Sequence, residues 1–236
     1  DEGNIQAALS GMVSRIDCCD FAETALMRML YRYPNSSLLT DKLRENIKET
    51  ALQHIYWVDE PGEEHMCFCT ENHQIIHHSN ELLAGQLWPD EVFTNNGKTG
   101  DWHIRHAEGM IRRWLDWRIR FGFSEWNSNC YYDEDLLGLF NIADYADDPD
   151  IRSAAKSVID LLLFHVALNS YKGLMSGTHG RTYARNIVNT ARDGVRGLVW
   201  LGWGVGDYRY FMNMSAVVLT CSDYQIPEIM AKIAND

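Results

Sequence analysis

Residues Ile151–Ser170 read IRSAAKSVIDLLLFHVALNS and follow closely after Pro149. Proline is tolerated in the first turn of a helix, so it indicates a helix start here. The segment is apolar on nearly every helical face, through Val158, Ile159, Leu161, Leu162, Leu163, Phe164, Val166 and Leu168. Other elements must therefore cover this helix on all sides. Its most apolar part, Leu161–Leu168, contains His165 and is too short to span a bilayer, so we expect no membrane insertion.

Helix patterns also dominate the rest of the chain, because apolar side chains recur at three- and four-residue spacing. The predicted helices are Ile5–Tyr31, a helix capped by Thr40 that ends near Trp57, Glu71–Leu87, Asp101–Arg120 and Asp133–Tyr145, followed after residue 170 by helical segments at 193–205, 208–218 and 226–233. A polar loop is predicted over residues 171–189. Alternating patterns typical of strands do not occur over a useful length.

This order of helices and polar loops predicts an all-α protein of antiparallel helix pairs. Because the 151–170 helix needs cover all round, we expect a two-layer, α/α-toroid-like arrangement with an inner and an outer ring. The predicted helices are too few to complete such a double ring. We therefore expect a single all-α domain over residues 1–236 that is part of a larger protein, with another chain or chain segment completing the fold.

The charge balance excludes two classes of partner. Lys and Arg number 21 against 33 Asp and Glu, so the formal net charge is −12. A general nucleic-acid binder needs a broad basic face that displaces counterions, and adsorption to an anionic membrane needs the same sign of charge. We therefore expect neither nucleic acid nor a membrane surface as a partner.

Six cysteines lie at positions 18, 19, 67, 69, 130 and 221, and they allow either thiols or one or two disulfides. Glycosylation sequons begin at Asn35 and Asn213. The expected localisation is secreted or periplasmic.

A first polar cluster, Glu71-Asn72-His73, follows Thr70 at a predicted helix start. Exposed backbone N–H groups at such a terminus favour an anion such as a carboxylate, although capping of the helix by Thr70 alone is an alternative. His73 and His77 also have the i, i+4 spacing of a metal pair. Their string differs from the HExxH motif by carrying Gln74 in place of glutamate, and no third ligand is evident. A metal at His73 and His77 is therefore not favoured, and we expect no cofactor.

A second cluster lies at residues 121–134 and is rich in aromatic and polar side chains. Trp126, with Tyr131 and its neighbouring tyrosine, can form a platform on which a sugar ring stacks. Glu125 is a candidate acid or base, and Asn129 is a candidate for holding a substrate carboxylate or hydroxyl. The alternative is a packed corner between helices, with the aromatic side chains in the core.

The third cluster is Ser176-Gly-Thr-His-Gly-Arg-Thr-Tyr, residues 176–183. Glycines on either side of Thr178-His179 let the backbone turn and present the imidazole. His179, Arg181 and Tyr183 together can neutralise a carboxylate and move a proton at the adjacent carbon. The surrounding residues 172–196 carry a local charge of +4. The alternative is a loop that binds an acidic helix of its own chain.

Three segments carry a family resemblance: TENHQIIHHSNELLAGQLWP at Thr70–Pro89, Phe121–Asp135 and Thr178–Tyr183. They resemble a family of bacterial or fungal proteins of unassigned function that look like α/α-toroid carbohydrate-active enzymes. The resemblance implies a polysaccharide lyase that acts on uronic-acid-containing glycans by C5 proton abstraction and β-elimination, with an acidic polysaccharide or oligosaccharide as partner.

The resemblance also implies roles for individual residues. Asn72 and Arg181 would neutralise the substrate carboxylate. His179, with Tyr183 or Tyr131, would act on protons, and His73 would assist. Substrate contacts would come from Glu71, Glu125, Trp126, Asn129 and Tyr131.

Two other functions remain open on the sequence. One is a toroid glycoside hydrolase in which Glu71 and Glu125 form the carboxylate pair. The other is a non-catalytic secreted protein that binds carbohydrate or has a structural role. Both enzyme hypotheses require the segments near residues 72, 126 and 179 to line one shared groove.

Overall fold

The structure, a computed structural model, describes residues 2–207 and 214–236. The described residues form eleven α-helices and two small antiparallel strand pairs, which confirms the all-α prediction. None of the described helices combines the length and the apolar character that a bilayer crossing requires. The first half of the helix predicted over residues 208–218, and the sequon at Asn213, lie outside the described residues.

The chain divides into two compact units, and the single domain expected from the sequence stays a prediction. Unit 1 comprises Asp1–Arg112 and Tyr145–Asp147. Its elements are α1 (Glu2–Val13), α2 (Cys19–Arg32), α3 (Asp41–Leu52), α4 (Glu71–Leu87), β1 (Val92–Phe93), β2 (Lys98–Thr99) and the first part of α5 (Gly100–Phe121). Strands β1 and β2 form a hairpin in which Val92 pairs with Thr99.

The prediction of a single helix over Ile5–Tyr31 is wrong, because this segment forms the two helices α1 and α2. The chain turns between α1 and α2, where Arg15 and Cys18 adopt left-handed backbone angles with φ of 50° and 65°. Apolar spacing continues across this turn, so the helical period did not reveal it. Thr40 caps α3 as predicted, because its Oγ1 accepts a hydrogen bond from the Leu43 N–H at 3.2 Å. That helix ends at Leu52, earlier than predicted.

Helix α4 lies at the centre of unit 1, and its bounds are those predicted. It buries nearly all of its residues, leaving only Gln74, Gln86 and Leu87 outside the buried set. Helix α2 packs against it, and the apolar core around them includes Met27, Ile47, Tyr56, Leu83 and Phe93. Burial of α4 is unusual because many of its side chains are polar, so those polar groups require partners inside the protein.

Unit 2 comprises Arg113–Asp144 and Asp148–Asp236. Its elements are the second part of α5, α6 (Tyr132–Tyr145) up to Asp144, α7 (Pro149–Leu168), β3 (Ser170–Tyr171), β4 (Leu174–Met175), α8 (Ala184–Val188), a 3-10 turn (Thr190–Arg192), α9 (Arg196–Trp203), α10 (Met214–Thr220) and α11 (Glu228–Asn235). The loop predicted over residues 171–189 thus contains β4 and α8. In the second hairpin, Ser170 pairs with Met175.

Helix α7 is covered unevenly. Every residue from Val158 to Ala167 is buried or half-buried, so the expected cover on all sides applies to that part, whereas Ser153, Lys156, Ser157 and Leu168 are exposed. Val158, Ile159, Leu162 and Val166 are buried, whereas Leu168 is exposed over 56% of its surface. The terminal helix α11 packs on α7 and covers part of its surface. The more completely buried helix of unit 2 is α6, which follows the second polar cluster directly.

The six cysteines, all within the described residues, form no disulfide bond. Of the two alternatives open on the sequence, the structure contains the thiols.

Candidate functional site

Two loops of unit 2 meet, and they carry the second and third polar clusters. The Gly180 N–H donates a hydrogen bond to the Trp126 carbonyl at 2.9 Å. A side chain at position 180 would clash, because a Cβ there would lie 2.4 Å from the indole Nε1 of Trp126. The glycine therefore allows the backbone of residues 178–183 to pass directly over the Trp126 ring.

Arg181 forms the centre of this site. Its Nη2 donates hydrogen bonds to the phenol oxygens of Tyr131, at 3.1 Å, and Tyr183, at 3.2 Å. The two phenol oxygens lie 2.5 Å apart and share a hydrogen bond. The Arg181 Nε lies 3.3 Å from a carboxylate oxygen of Glu125. Four side chains from the two predicted clusters therefore form one connected group.

The proton count of this group leaves one donor for a ligand. Arg181 only donates, so both phenol oxygens accept from it, and one phenol proton is used between the two rings. The other phenol proton is available to a molecule in contact with the pair. Burial and the neighbouring Tyr183 raise the pKa of Tyr131, although Arg181 opposes this effect. Tyr131 is therefore protonated at neutral pH and can act as a proton donor.

His179 has a defined tautomer. Its Nδ1 lies 2.6 Å from the backbone carbonyl of Asn127, and a carbonyl can only accept. Nδ1 therefore carries the proton in the neutral ring, and Nε2 holds the lone pair. An imidazole held in this way can accept a proton at Nε2.

Asn129 joins the two loops from a buried position. Its amide nitrogen donates to Asp193 at 2.6 Å, and its amide oxygen accepts from the Thr182 hydroxyl at 2.8 Å. Its backbone carbonyl accepts from the Gly194 N–H at 2.8 Å. Its polar groups are thus used within the protein, whereas the side chain of Trp126 is 46% exposed and offers an aromatic surface.

A pocket of about 250 Å³ lies beside this group in unit 2. Its wall contains the side chains of both tyrosines and two arginines; the lining residues are Cys130, Tyr131, Asp133, Glu134, Tyr183, Arg185, Asn186, Arg192 and Gly194. The guanidinium of Arg185 stacks on the Tyr183 ring at 4.4 Å from its centroid. The pocket therefore combines phenol hydroxyls and two guanidinium groups with the carboxyl groups of Asp133 and Glu134.

Sequence reasoning missed two buried carboxyl groups near this pocket. Burial raises the pKa of Asp133 to about 7, against the hydrogen bonds that it accepts from Ser215. Burial likewise raises the pKa of Asp193 to about 7, against the effects of Asn129 and Arg196. Perturbed carboxyl groups beside a cleft are typical of functional sites. Because Asp133 lies in the first turn of α6, the sequence favoured a simple interaction with the helix dipole. It gave no indication that this carboxyl group is buried beside a pocket.

The first polar cluster lies in unit 1 and has its own partners. Glu71, Asn72 and His73 are all buried at the start of α4. The Nδ1 of His73 donates to the Asp20 carboxylate at 2.7 Å. Burial alone would lower the pKa of His73, but the hydrogen bond and charge of Asp20 raise it overall. Thr70 occupies the N-cap position of α4, as the capping alternative expected, but its side chain makes no capping hydrogen bond.

The catalytic and substrate-binding roles assigned to residues of both units stay predictions. So does the shared groove expected for the segments near residues 72, 126 and 179. Comparisons with protein-family models, curated proteins and solved structures give no match.

Proposed function

We propose that the protein is a polysaccharide lyase that cleaves uronic-acid-containing glycans by β-elimination at the unit 2 site, with the three chemical tasks assigned to residues of unit 2 and none to Asn72 or His73 of unit 1. The observation that carries this proposal is the contact of one guanidinium with two phenol oxygens, in Arg181, Tyr131 and Tyr183. This group lies beside a pocket whose wall contains Arg185 and Arg192. It offers charge neutralisation and proton donation in one place.

The elimination needs three chemical tasks. The substrate carboxylate must be neutralised, because this makes the proton on the adjacent C5 more acidic and stabilises the charge that develops. A base must remove that proton. The electron pair of the broken C5–H bond then forms the C4=C5 double bond, and the electron pair of the C4–O bond leaves with the oxygen. The leaving oxygen must then receive a proton.

The side chains of unit 2 match these tasks. Arg181 and the pocket arginines supply positive charge for the carboxylate. His179 supplies a lone pair at Nε2 for the C5 proton, because its Nδ1 is used on the Asn127 carbonyl. Tyr131 supplies a proton for the leaving oxygen, because the two phenols carry two protons and only one of them is used between Tyr131 and Tyr183.

The charge distribution supports an acidic glycan as substrate. The chain carries a net charge of −12, whereas residues 172–196 carry +4. Within that segment Arg181 pairs with Glu125 and Arg196 pairs with Asp207, so the attraction of an anionic ligand rests on Lys172, Arg185 and Arg192. Trp126, exposed beside the Arg181 group, provides the flat aromatic surface on which a sugar ring can stack.

We also propose that the helices belong to an α/α-toroid-like arrangement. The all-helical fold supports this, as do the nearly complete burial of α4 in unit 1 and of most of α6 in unit 2. Helices of an inner ring are expected to be covered on most faces. A toroid requires further helices to close the ring.

The proposal is tested by mixing the purified protein with a panel of uronate-containing polysaccharides. A lyase produces unsaturated uronate that absorbs in the ultraviolet, and we expect this signal for at least one member of the panel. Arg181→Ala should abolish it, whereas Arg120→Ala, at an exposed arginine paired with Asp116, should retain it. Reducing ends without ultraviolet absorbance would indicate a hydrolase. Binding without either product would indicate a carbohydrate-binding protein.

A further inference from the structure

Unit 1 contains a compact group of possible metal ligands. Asp20, His73 and His77 each direct one ligand atom into a common space, and these three atoms lie within 4.8 Å of one another. All three residues are buried. We propose that they form a binding site for a divalent transition metal of the Zn²⁺ class. This inference does not depend on the proposed lyase activity, which was argued from unit 2 alone.

The strongest support comes from His77. Its side chain is fully buried, and neither ring nitrogen makes a hydrogen bond of good geometry within the described residues, although the Cys67 backbone lies close enough for a weak interaction with the ring. A buried polar atom without a partner is costly, so most such atoms in proteins are paired. The nearest acidic atom is Oδ2 of Asp20, which lies 3.9 Å from Nε2 of His77, beyond hydrogen-bonding distance. A metal between them would give that nitrogen a partner.

The distances within the triad suit a small cation. The ligand atoms of a tetrahedral zinc site, with bonds of about 2.0–2.1 Å, lie about 3.3 Å apart. The distance from Asp20 Oδ2 to His73 Nδ1 is 2.7 Å and that to His77 Nε2 is 3.9 Å. Adjustments of about 0.6 Å in opposite directions would bring both distances to the tetrahedral value.

The supporting structure holds the three ligands in place. His73 and His77 are one helical turn apart on α4, which places both rings on one face. Asp20 lies in the first turn of α2, and its backbone carbonyl accepts hydrogen bonds from Thr24 and Asn80, both at 2.9 Å. The His73 side chain remains 9% exposed, so an ion can reach the site from that side. Three protein ligands leave a fourth position for water or another small molecule.

Nearby thiols offer a competing set of ligands. Asp17, Cys18 and His73 form a second group whose ligand atoms lie within 4.8 Å of one another. Cys67 and Cys69 lie just before α4, with their sulfur atoms 3.6 Å apart. We infer ligation by two imidazoles and one carboxylate, because His77, whose ring nitrogens make no hydrogen bond of good geometry, belongs to that group. A coordination shell without sulfur therefore distinguishes it from a thiol site.

The test uses the whole chain, freed of metal with a chelator and titrated with Zn²⁺ in a calorimeter. We expect one Zn²⁺ per chain. Removal of partners beyond the ligands typically weakens metal binding by about 10- to 100-fold, so loss of a ligand in Asp20→Asn or His77→Asn should weaken it by about 100-fold or more. His65→Asn, at an exposed histidine of the same unit, and Cys67→Ser should bind Zn²⁺ as the wild type does.

X-ray absorption of the zinc-loaded wild type gives a readout that needs no variant. It should show nitrogen and oxygen ligands near 2.0–2.1 Å and no sulfur near 2.3 Å. The proposal is overturned by a wild type that binds no Zn²⁺, by a sulfur shell, or by folded Asp20→Asn and His77→Asn variants that bind Zn²⁺ at wild-type strength.

Discussion

The phenol oxygens of Tyr131 and Tyr183 lie 2.5 Å apart, although 52 positions separate the two residues in the sequence. Arg181 holds them together, because one nitrogen of its guanidinium donates to both oxygens. One of the two phenol protons therefore lies between Tyr131 and Tyr183, and the other is available to a ligand. This arrangement makes the two tyrosines chemically unequal once a ligand is bound.

Removal of one hydroxyl from the pair should reduce catalysis without unfolding the protein. We expect Tyr131→Phe to lower the rate of unsaturated-uronate formation by about 100-fold or more, because general acid catalysis contributes about 10²–10⁴-fold. Tyr171→Phe, at an exposed tyrosine of the same unit, is the matched control and should leave the rate unchanged. Initial rates from ultraviolet absorbance measure both. A Tyr131→Phe protein with wild-type rate would remove this phenol from the mechanism.

The close approach of Gly180 to Trp126 gives a second prediction. In Gly180→Ala the new Cβ would lie 2.4 Å from the indole nitrogen, so the loop of residues 178–183 must move away. We expect an activity loss of about 10-fold or more, since small displacements of catalytic groups are costly. Gly109→Ala is the control, because a Cβ there meets nothing within 4 Å and alanine favours a helix. Equal activity in both variants would show that the position of this loop is unimportant.

Sequence reasoning located helix α4 correctly but not its environment. Its bounds followed from Thr70, Pro89 and the apolar spacing between them. The spacing could not show that Asn72, His77 and Glu81 are buried, because polar residues are normally placed on the exposed face of a helix. Burial of these groups is a tertiary effect, so the metal triad was visible only as the His73 and His77 pair.

The third ligand was hidden by a wrong helix prediction. Asp20 fell in the middle of one long predicted helix, whereas the structure starts a new helix at Cys19. The left-handed residues Arg15 and Cys18 that make the turn have no sequence signal, since neither is glycine or asparagine. The candidate site residues in the loops of unit 2 were easier to identify from the sequence, because His179, Arg181 and Tyr183 lie within one short glycine-containing segment. Their contacts with Tyr131 depend on the path of the chain and needed the structure.

The buried carboxyl of Asp133 should make stability depend on pH. Its pKa is raised to about 7 in the folded protein. Between about pH 4 and about pH 7, the folded state therefore keeps a proton on this carboxyl group that the unfolded state has lost. The stabilisation that this group contributes is therefore complete below about pH 4, decreases as the pH rises, and is lost above about pH 7. Asp133→Asn removes this pH dependence. Between about pH 5 and about pH 7, the difference in free energy of unfolding between the variant and the wild type should therefore change by about 2 kcal/mol or more in favour of the variant.

Urea unfolding at several pH values measures this difference. Ser215→Ala is the companion variant, because it removes a hydrogen bond that favours the charged carboxylate. In that variant the loss of stability should move to higher pH. A difference between Asp133→Asn and the wild type that does not vary with pH would contradict the assignment.

Glu81 should be one of the most sensitive positions in unit 1. It is fully buried and accepts hydrogen bonds from the Nδ1 atoms of His103 and His106, both at 2.8 Å. Loss of one partner from a buried charged pair costs about 3–5 kcal/mol, so Glu81→Ala should lower the free energy of unfolding by about 3 kcal/mol. The control is Asp101→Ala, which breaks an exposed ion pair with Arg105 worth about 0–1 kcal/mol. Similar losses in the two variants, measured by urea unfolding, would contradict the role of burial.

The most direct test of the proposed function is the fate of solvent oxygen during glycan cleavage. The protein is incubated with a uronate-containing polysaccharide in heavy-oxygen water, and the products are analysed by mass spectrometry. Elimination adds no water across the cleaved bond, so we predict a new unsaturated chain end that is one water lighter than a hydrolysis product. We also predict no incorporation of heavy oxygen at times too short for the new reducing end to exchange its anomeric oxygen with water. A saturated chain end, with one heavy oxygen incorporated per bond cleaved before that exchange, would show hydrolysis and contradict the account.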